Sequence, residues 1–163
     1  MVLYSQRENL LIAVVYRQPD DPTGGHRSQS YELSQAIAKI ESAIEAVQGT
    51  PTLLICGDYN LPNINWTEGQ PQNTHNQLAS TMSSFQSRQL LSQMIKQPTH
   101  KAGNILDLIF TNNRQLFNEV YCIPTTQSDH LIIEVATHFK SHFSKTHQNN
   151  RRFFNTFDSL NFF

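Results

Sequence analysis

The sequence predicts an α/β fold, a mixed sheet packed by helices, and three observations predict it. Strand-like and helix-like runs alternate in the first half of the chain, and strand-like runs follow one another in the second. Leu53-Leu54-Ile55-Cys56 is apolar at every position, the pattern of a strand buried on both faces. The 163 residues are long enough for one domain with a sizeable core, and 38% of them are hydrophobic.

Taken in order, nothing ahead of Leu10 reads as an element. Leu10 to Tyr16 (LLIAVVY) is the first strand, rich in β-branched residues. Arg17 to Ser30 is a loop carrying Pro19, Asp20, Asp21, Pro22, Gly24 and Gly25. Leu33, Ile37, Ile40, Ile44 and Val47 then recur at the helical period, with Ser30 as the expected N-cap and Gly49 before Pro51 as the stop. The strand Thr52 to Cys56 follows. Leu61 to Thr74 is a long polar loop holding Pro62, Trp66, Gly69 and Pro71, and loops of that length are usually functional or mobile. A second helix is predicted over Asn76 to Ser87, with Leu78, Met82 and Phe85 on one face. Leu90 to Ile95, Ile105 to Phe110, Glu119 to Ile123 and Leu131 to Thr137 read as strands, with a loop from Pro98 to Gly103. Residues 140–163 show no period and read as a polar and basic tail or linker, so the domain is expected over residues 1–139.

The net charge is −1 and only 15% of residues are charged. That balance lowers the expectation of a broad basic face for nucleic acid, while leaving room for a local basic site. Cys56 and Cys122 make neither a disulfide framework nor a zinc site. Both read as buried free thiols, which suits a reducing, intracellular compartment, nuclear or cytoplasmic. No signal peptide and no apolar run of membrane length is visible, so no membrane partner is expected.

The chemistry-bearing residues sit where strands begin or end. Asp58 and Asn60 follow the buried strand; two apart, they are expected to share one face of an extended backbone, with Gly57 leaving room for close approach. Asp107 interrupts an apolar run, where an unpaired carboxylate is costly. Asp129 and His130 open another strand, and Tyr16 ends the first. Each has a plainer reading. Gly57-Asp58-Tyr59-Asn60 suits a simple turn, Ser128-Asp129 a cap, His130 a satisfied core histidine and Tyr16 ordinary packing. Tyr59 and Trp66 suit either stacking on a base or core anchoring. His138, His142 and His147 read as a solvated stretch, and Lys140, Lys145, Arg151 and Arg152 as a solvated tail. Together, though, three carboxylates, an amide, a His and a Tyr at strand ends point to one polar site at the mouth of a sheet. Such a place suits phosphate chemistry.

Gly57-Asp58-Tyr59-Asn60, Leu106-Asp107-Leu108-Ile109-Phe110 and Ser128-Asp129-His130 resemble, in order, the later motifs of the endonuclease/exonuclease/phosphatase superfamily. The closer resemblance is to the endonuclease domain of non-LTR retrotransposons. Val15-Tyr16-Arg17-Gln18-Pro19 is similar to its Tyr-Arg-Pro-Pro element, and Pro98-Thr99-His100 with Gly103-Asn104-Ile105-Leu106-Asp107 to its stretch before the second Asp. The resemblance covers roughly residues 10–138. It implies part of a DNase I-like four-layer α/β/β/α sandwich and Mg²⁺-dependent nicking of DNA, with Mn²⁺ as a substitute and no small-molecule cofactor. It implies that Asp58 activates the water and that Asn60 binds that water or a phosphate oxygen. His130 would stabilise the phosphoryl charge, Asp107 would orient His130, Tyr16 would contact the phosphate and Asp129 would bind or position the metal. The front strands of such domains, with an early Asn and a metal-binding Glu, have no counterpart in the sequence; Glu8 lies beside a turn. An impaired site and an exposed inner sheet face are therefore expected. Arg151-Arg152-Phe153-Phe154 resembles the linker toward a reverse transcriptase. Two other readings remain: a catalytically inactive retroelement fragment with at most weak nucleic-acid binding, and a phosphatase for small substrates, which the stretch from Pro98 to Asp107 disfavours.

Overall fold

The computed structural model describes residues 1–19, 29–71, 76–138 and 159–162. Asp20, Asp21, Pro22, Gly24, Gly25, Thr74, Lys140, His142, Lys145, His147 and the Arg151-to-Phe154 stretch lie outside the described residues. In chain order the elements are β1 (Val2–Ser5), β2 (Leu10–Tyr16), α1 (Gln29–Glu45), β3 (Thr52–Asp58), α2 (Gln77–Arg88), β4 (Ser92–Gln93), β5 (Asp107–Thr111), β6 (Phe117–Ile123), β7 (Ile132–Thr137) and β8 (Ser159–Phe162). Five strands form a sheet in the order β1-β2-β3-β5-β4, and β6, β7 and β8 form a second. β2 and β3 run parallel, which requires a crossover such as α1; β3 and β5 run antiparallel. This is the mixed α/β fold that the sequence predicts, compatible with part of a DNase I-like sandwich.

Strand alternation gives the larger sheet two distinct faces. On one lie Leu11, Ala13, Val15, Leu53, Ile55, Leu108 and Phe110, all buried and in one core with Leu33, Ile37 and Ile40 of α1 and Leu78, Met82 and Phe85 of α2. Phe110 meets Tyr59 and Trp66 edge-to-face, at 5.6 and 6.0 Å between ring centres. Trp66, Leu61 and Ile64 are buried, so the long loop after β3 is anchored in the core by its apolar residues. Tyr59 and Trp66 are thus core residues and not exposed stacking platforms. The other face carries Ile12, Val14, Cys56, Asp58, Asp107 and Ile109 and lines a cleft against His130, Leu131 and Ile133. Ile12 and Val14 are only half-buried there.

Several sequence expectations change. The segment before Leu10 is not featureless: β1 pairs antiparallel with β2 through a tight turn at Gln6–Asn9, with Asn9 at φ 47°. Asn9 fixes that turn by donating to the Thr50 carbonyl and accepting from the Tyr4 hydroxyl. Ser30 lies inside the first turn of α1, which begins at Gln29, and so does not cap it. The expected strand Leu90 to Ile95 shrinks to β4, because Leu90 adopts φ 53° as the chain leaves α2. Asp107 begins β5 and does not interrupt a strand. Cys56 is buried as expected, but Cys122 is only half-buried. Within the stretch expected to be a tail, the backbone of Ser159–Phe162 pairs antiparallel with β7. No helix among the described residues is long and apolar enough to cross a membrane.

At Gly57 the backbone of β2 leaves no room for a side chain. The residue adopts φ 143°, and a Cβ there would collide with the Val15 carbonyl of β2. Gly57→Ala is therefore expected to destabilise the protein by at least about 2 kcal/mol, read as a lower urea midpoint in a denaturation curve.

Candidate active site

The antiparallel register of β3 and β5 sets Asp58 opposite Asp107. Like charges facing each other across a ladder are unfavourable, so the surrounding donors matter. Both side chains are 18% exposed, too buried for water alone to screen them.

Asn60 supplies the first donors. It does not continue an extended backbone as the sequence suggests, because it adopts φ 46°. That turn directs its backbone N–H to Asp58 Oδ1 at 3.0 Å and its amide Nδ2 to Asp58 Oδ2 at 2.8 Å. The same Nδ2 donates to the Arg17 carbonyl at 2.8 Å. Arg17 answers by donating from Nη1 to the Asn60 carbonyl at 2.7 Å and from its backbone N–H to the Asp58 carbonyl at 2.9 Å. The reciprocal clasp is buried, with Arg17 at 4% exposure. Arg17 ends the first strand next to Tyr16 in the sequence, and the parallel register of β2 with β3 places it beside Asn60.

His130 supplies the next partner. Its Nδ1 lies 2.8 Å from Asp107 Oδ2, and its Nε2 lies 3.9 Å from Asp58 Oδ2. The contact from Nδ1 to the Asp107 carboxyl fixes the ring orientation. The ring is placed by the Pro98–Gly103 loop: the backbone of His130 bridges His100, and Leu131 N–H donates to the Thr99 carbonyl at 2.7 Å. Thr99 is fully buried, and its Oγ1 accepts from the backbone N–H groups of both Leu106 and Asp107 at 3.0 Å. It thereby sets the start of β5. Composition and period do not mark such a residue, although a Thr beside a Pro in a loop is a ready backbone acceptor.

The structure thus brings Asp58, Asn60, Asp107 and His130 together. Tyr16 is level with Asp58 in the parallel register but 70% exposed. Asp129 faces outward, paired with Lys101 at 3.5 Å, and is not among the clustered groups. Asp58, Asp107 and His130 each offer a ligand atom within 4.8 Å of the others, a possible acidic metal-binding triad. Burial pushes the Asp58 carboxyl above the usual range, helped by the Asp107 charge and opposed by the Asn60 donors and His130. Two carboxylates so close together are a donor set that a cation would offset. Cys56 lines the same cleft, of about 430 Å³. Burial pushes its thiol up to about 12, so it is no thiolate nucleophile at neutral pH.

Thr99→Val leaves two backbone donors without their acceptor. It is expected to cost about 1–3 kcal/mol, read from the urea midpoint, while Thr99→Ser retains most of the stability.

A search of curated proteins gave no match to the sequence. A family model described as endonuclease-reverse transcriptase matches residues 10–134. The matched span runs from the first residue of β2 into β7 and takes in the whole cleft. The chain belongs to the endonuclease-reverse transcriptase family.

Proposed function

We propose that this chain is a metal-dependent endonuclease that hydrolyses a DNA phosphodiester in the cleft between the two sheets. The observation that supports it best is His130 set between two carboxylates, 2.8 Å from Asp107 and 3.9 Å from Asp58. Asp58, its carboxyl pushed above the usual range by burial, is the group placed to take a proton from the attacking water. Both hydrogens of the Asn60 amide are engaged, on Asp58 and on Arg17, so Asn60 acts by aiming Asp58. His130, held through Nδ1 by Asp107, presents Nε2 to the cleft and donates to a phosphoryl oxygen when protonated. The exposed Tyr16 phenol stands on the same face and contacts the phosphate.

The donor set fits a divalent cation: two facing carboxylates and an imidazole whose ligand atoms lie within 4.8 Å of one another. Mg²⁺ or Mn²⁺ bound by Asp58 and Asp107 would offset the crowded anion of the reaction, with water completing its coordination. Asp129 reaches such an ion only by leaving Lys101.

Purified protein is expected to nick supercoiled plasmid in Mg²⁺ and not in EDTA, with Asp58→Ala at least about 100-fold slower by gel assay. Folded protein that leaves the plasmid intact in Mg²⁺ would sink this reading, leaving a family member without turnover. Mg²⁺ is also expected to raise the thermal midpoint through mass action, by an amount equivalent to about 2.7 kcal/mol at 100 times its dissociation constant. Calorimetry of Asp58→Ala should show that shift reduced or absent.

A further inference from the structure

We propose that His100 and Lys101 form a second phosphate contact, which takes the DNA backbone phosphate next to the one held at Asp58, Asp107 and His130. This rests on reading the cleft as a phosphodiester site. His100 sits against His130, with ring centres 5.0 Å apart and planes at 81°. The backbones of the two residues are bridged, so the separation is set by main chain and not by a mobile side chain. Successive phosphates of one strand are separated by more than their axial rise of about 3.4 Å, because they also wind around the duplex. Two donors on rings centred 5.0 Å apart can therefore address neighbouring phosphates.

The tautomer of His100 is fixed by its own loop. Its Nδ1 accepts from the Ala102 N–H at 3.1 Å. A ring that accepts at Nδ1 carries its proton at Nε2. Among the described residues nothing accepts from that Nε2–H, and the ring is half-buried, so the donor is oriented without being consumed. The loop is stiff where it must be: Gly103 N–H donates to the His100 carbonyl at 2.9 Å, and His100 and Thr99 N–H both donate to the Asn104 carbonyl.

Lys101 adds the charge. Its backbone N–H donates to the Asp129 carbonyl at 2.9 Å, which ties it to the His130 segment. Its ammonium meets Asp129 at 3.5 Å, with the two side chains 50% and 75% exposed. An ion pair that long and that wet is weak and gives way to a phosphate. Exchange of Asp129 for phosphate also releases a carboxylate beside the site. The chain as a whole has no basic excess, so one fixed imidazole donor and one ammonium at this place count for more than they would on a basic surface.

The test is equilibrium binding of a labelled random-sequence duplex to the full chain in Mg²⁺, followed by anisotropy at several KCl concentrations, with duplex integrity checked after each titration. Lys101→Gln is expected to lower the slope of log K against log salt by about 1. His100→Phe is expected to weaken binding about three- to tenfold, while His100→Gln, which keeps a donor near the Nε2 position, recovers most of it. Wild-type affinity and slope in both Lys101→Gln and His100→Phe would overturn the proposal while leaving the cleft reading intact. Equal losses in His100→Phe and His100→Gln with an unchanged Lys101→Gln slope would assign the effect to packing on His130 and overturn it too. Absence of any salt-dependent binding by the wild type would overturn both this contact and the reading of the cleft.

Discussion

The site depends on one unfavourable pairing: Asp58 and Asp107 face each other at the end of an antiparallel ladder. Such a pair persists only where donors and cations are arranged around it. The neighbouring structure serves that purpose. Asn60 leaves the strand in a left-handed turn to donate twice to Asp58, and Arg17 braces that turn from the next strand. Thr99 anchors the backbone amide of Asp107, and His130 takes the Asp107 carboxylate. The α1 crossover matters for the same reason. It makes β2 parallel to β3, so the chain leaves β2 beside Asp58, where Arg17 can reach Asn60.

The two faces of the larger sheet obey different rules. The helix-covered face is closed by large apolar groups, with Phe110 gripped between Tyr59 and Trp66. The cleft face is a compromise, part apolar and part acidic, and its strand β2 leaves Ile12 and Val14 half-buried. Stability therefore resides mainly on the side away from the chemistry. The acidic end of the cleft face accepts an energetic cost in return for a cluster that charge can act on.

What was legible in the sequence follows from the range of the interactions. LLIAVVY, the buried run ending at Cys56 and the helical period of Leu33, Ile37 and Ile40 are local signals, and each produced its element. Asp58, Asp107 and His130 stand out in the sequence beside apolar runs and in the order of the resembled motifs, and the structure brings their side chains within 4.8 Å of one another. β1 was not, because a four-residue strand owes its existence to the partner it pairs with. The strand expected over Leu90 to Ile95 is shorter than its pattern suggests, because a left-handed Leu90 still belongs to the exit from α2 and the ladder begins only at Ser92. Arg17 and Thr99 act through backbone groups distant in sequence, which neither spacing nor composition reports.

Cys56 gives this architecture an internal gauge. Its sulfur sits on the cleft face at 1% exposure, beneath the second sheet and 3.7 Å from the Ala13 carbonyl. An alkylating reagent can reach it only when the sheets separate or β2 lifts from β3. Its labelling rate under native conditions therefore counts openings of the structure around the cleft. A molecule that seats itself between the sheets should slow the labelling of this thiol, so a native sulfur reports occupancy without any introduced label.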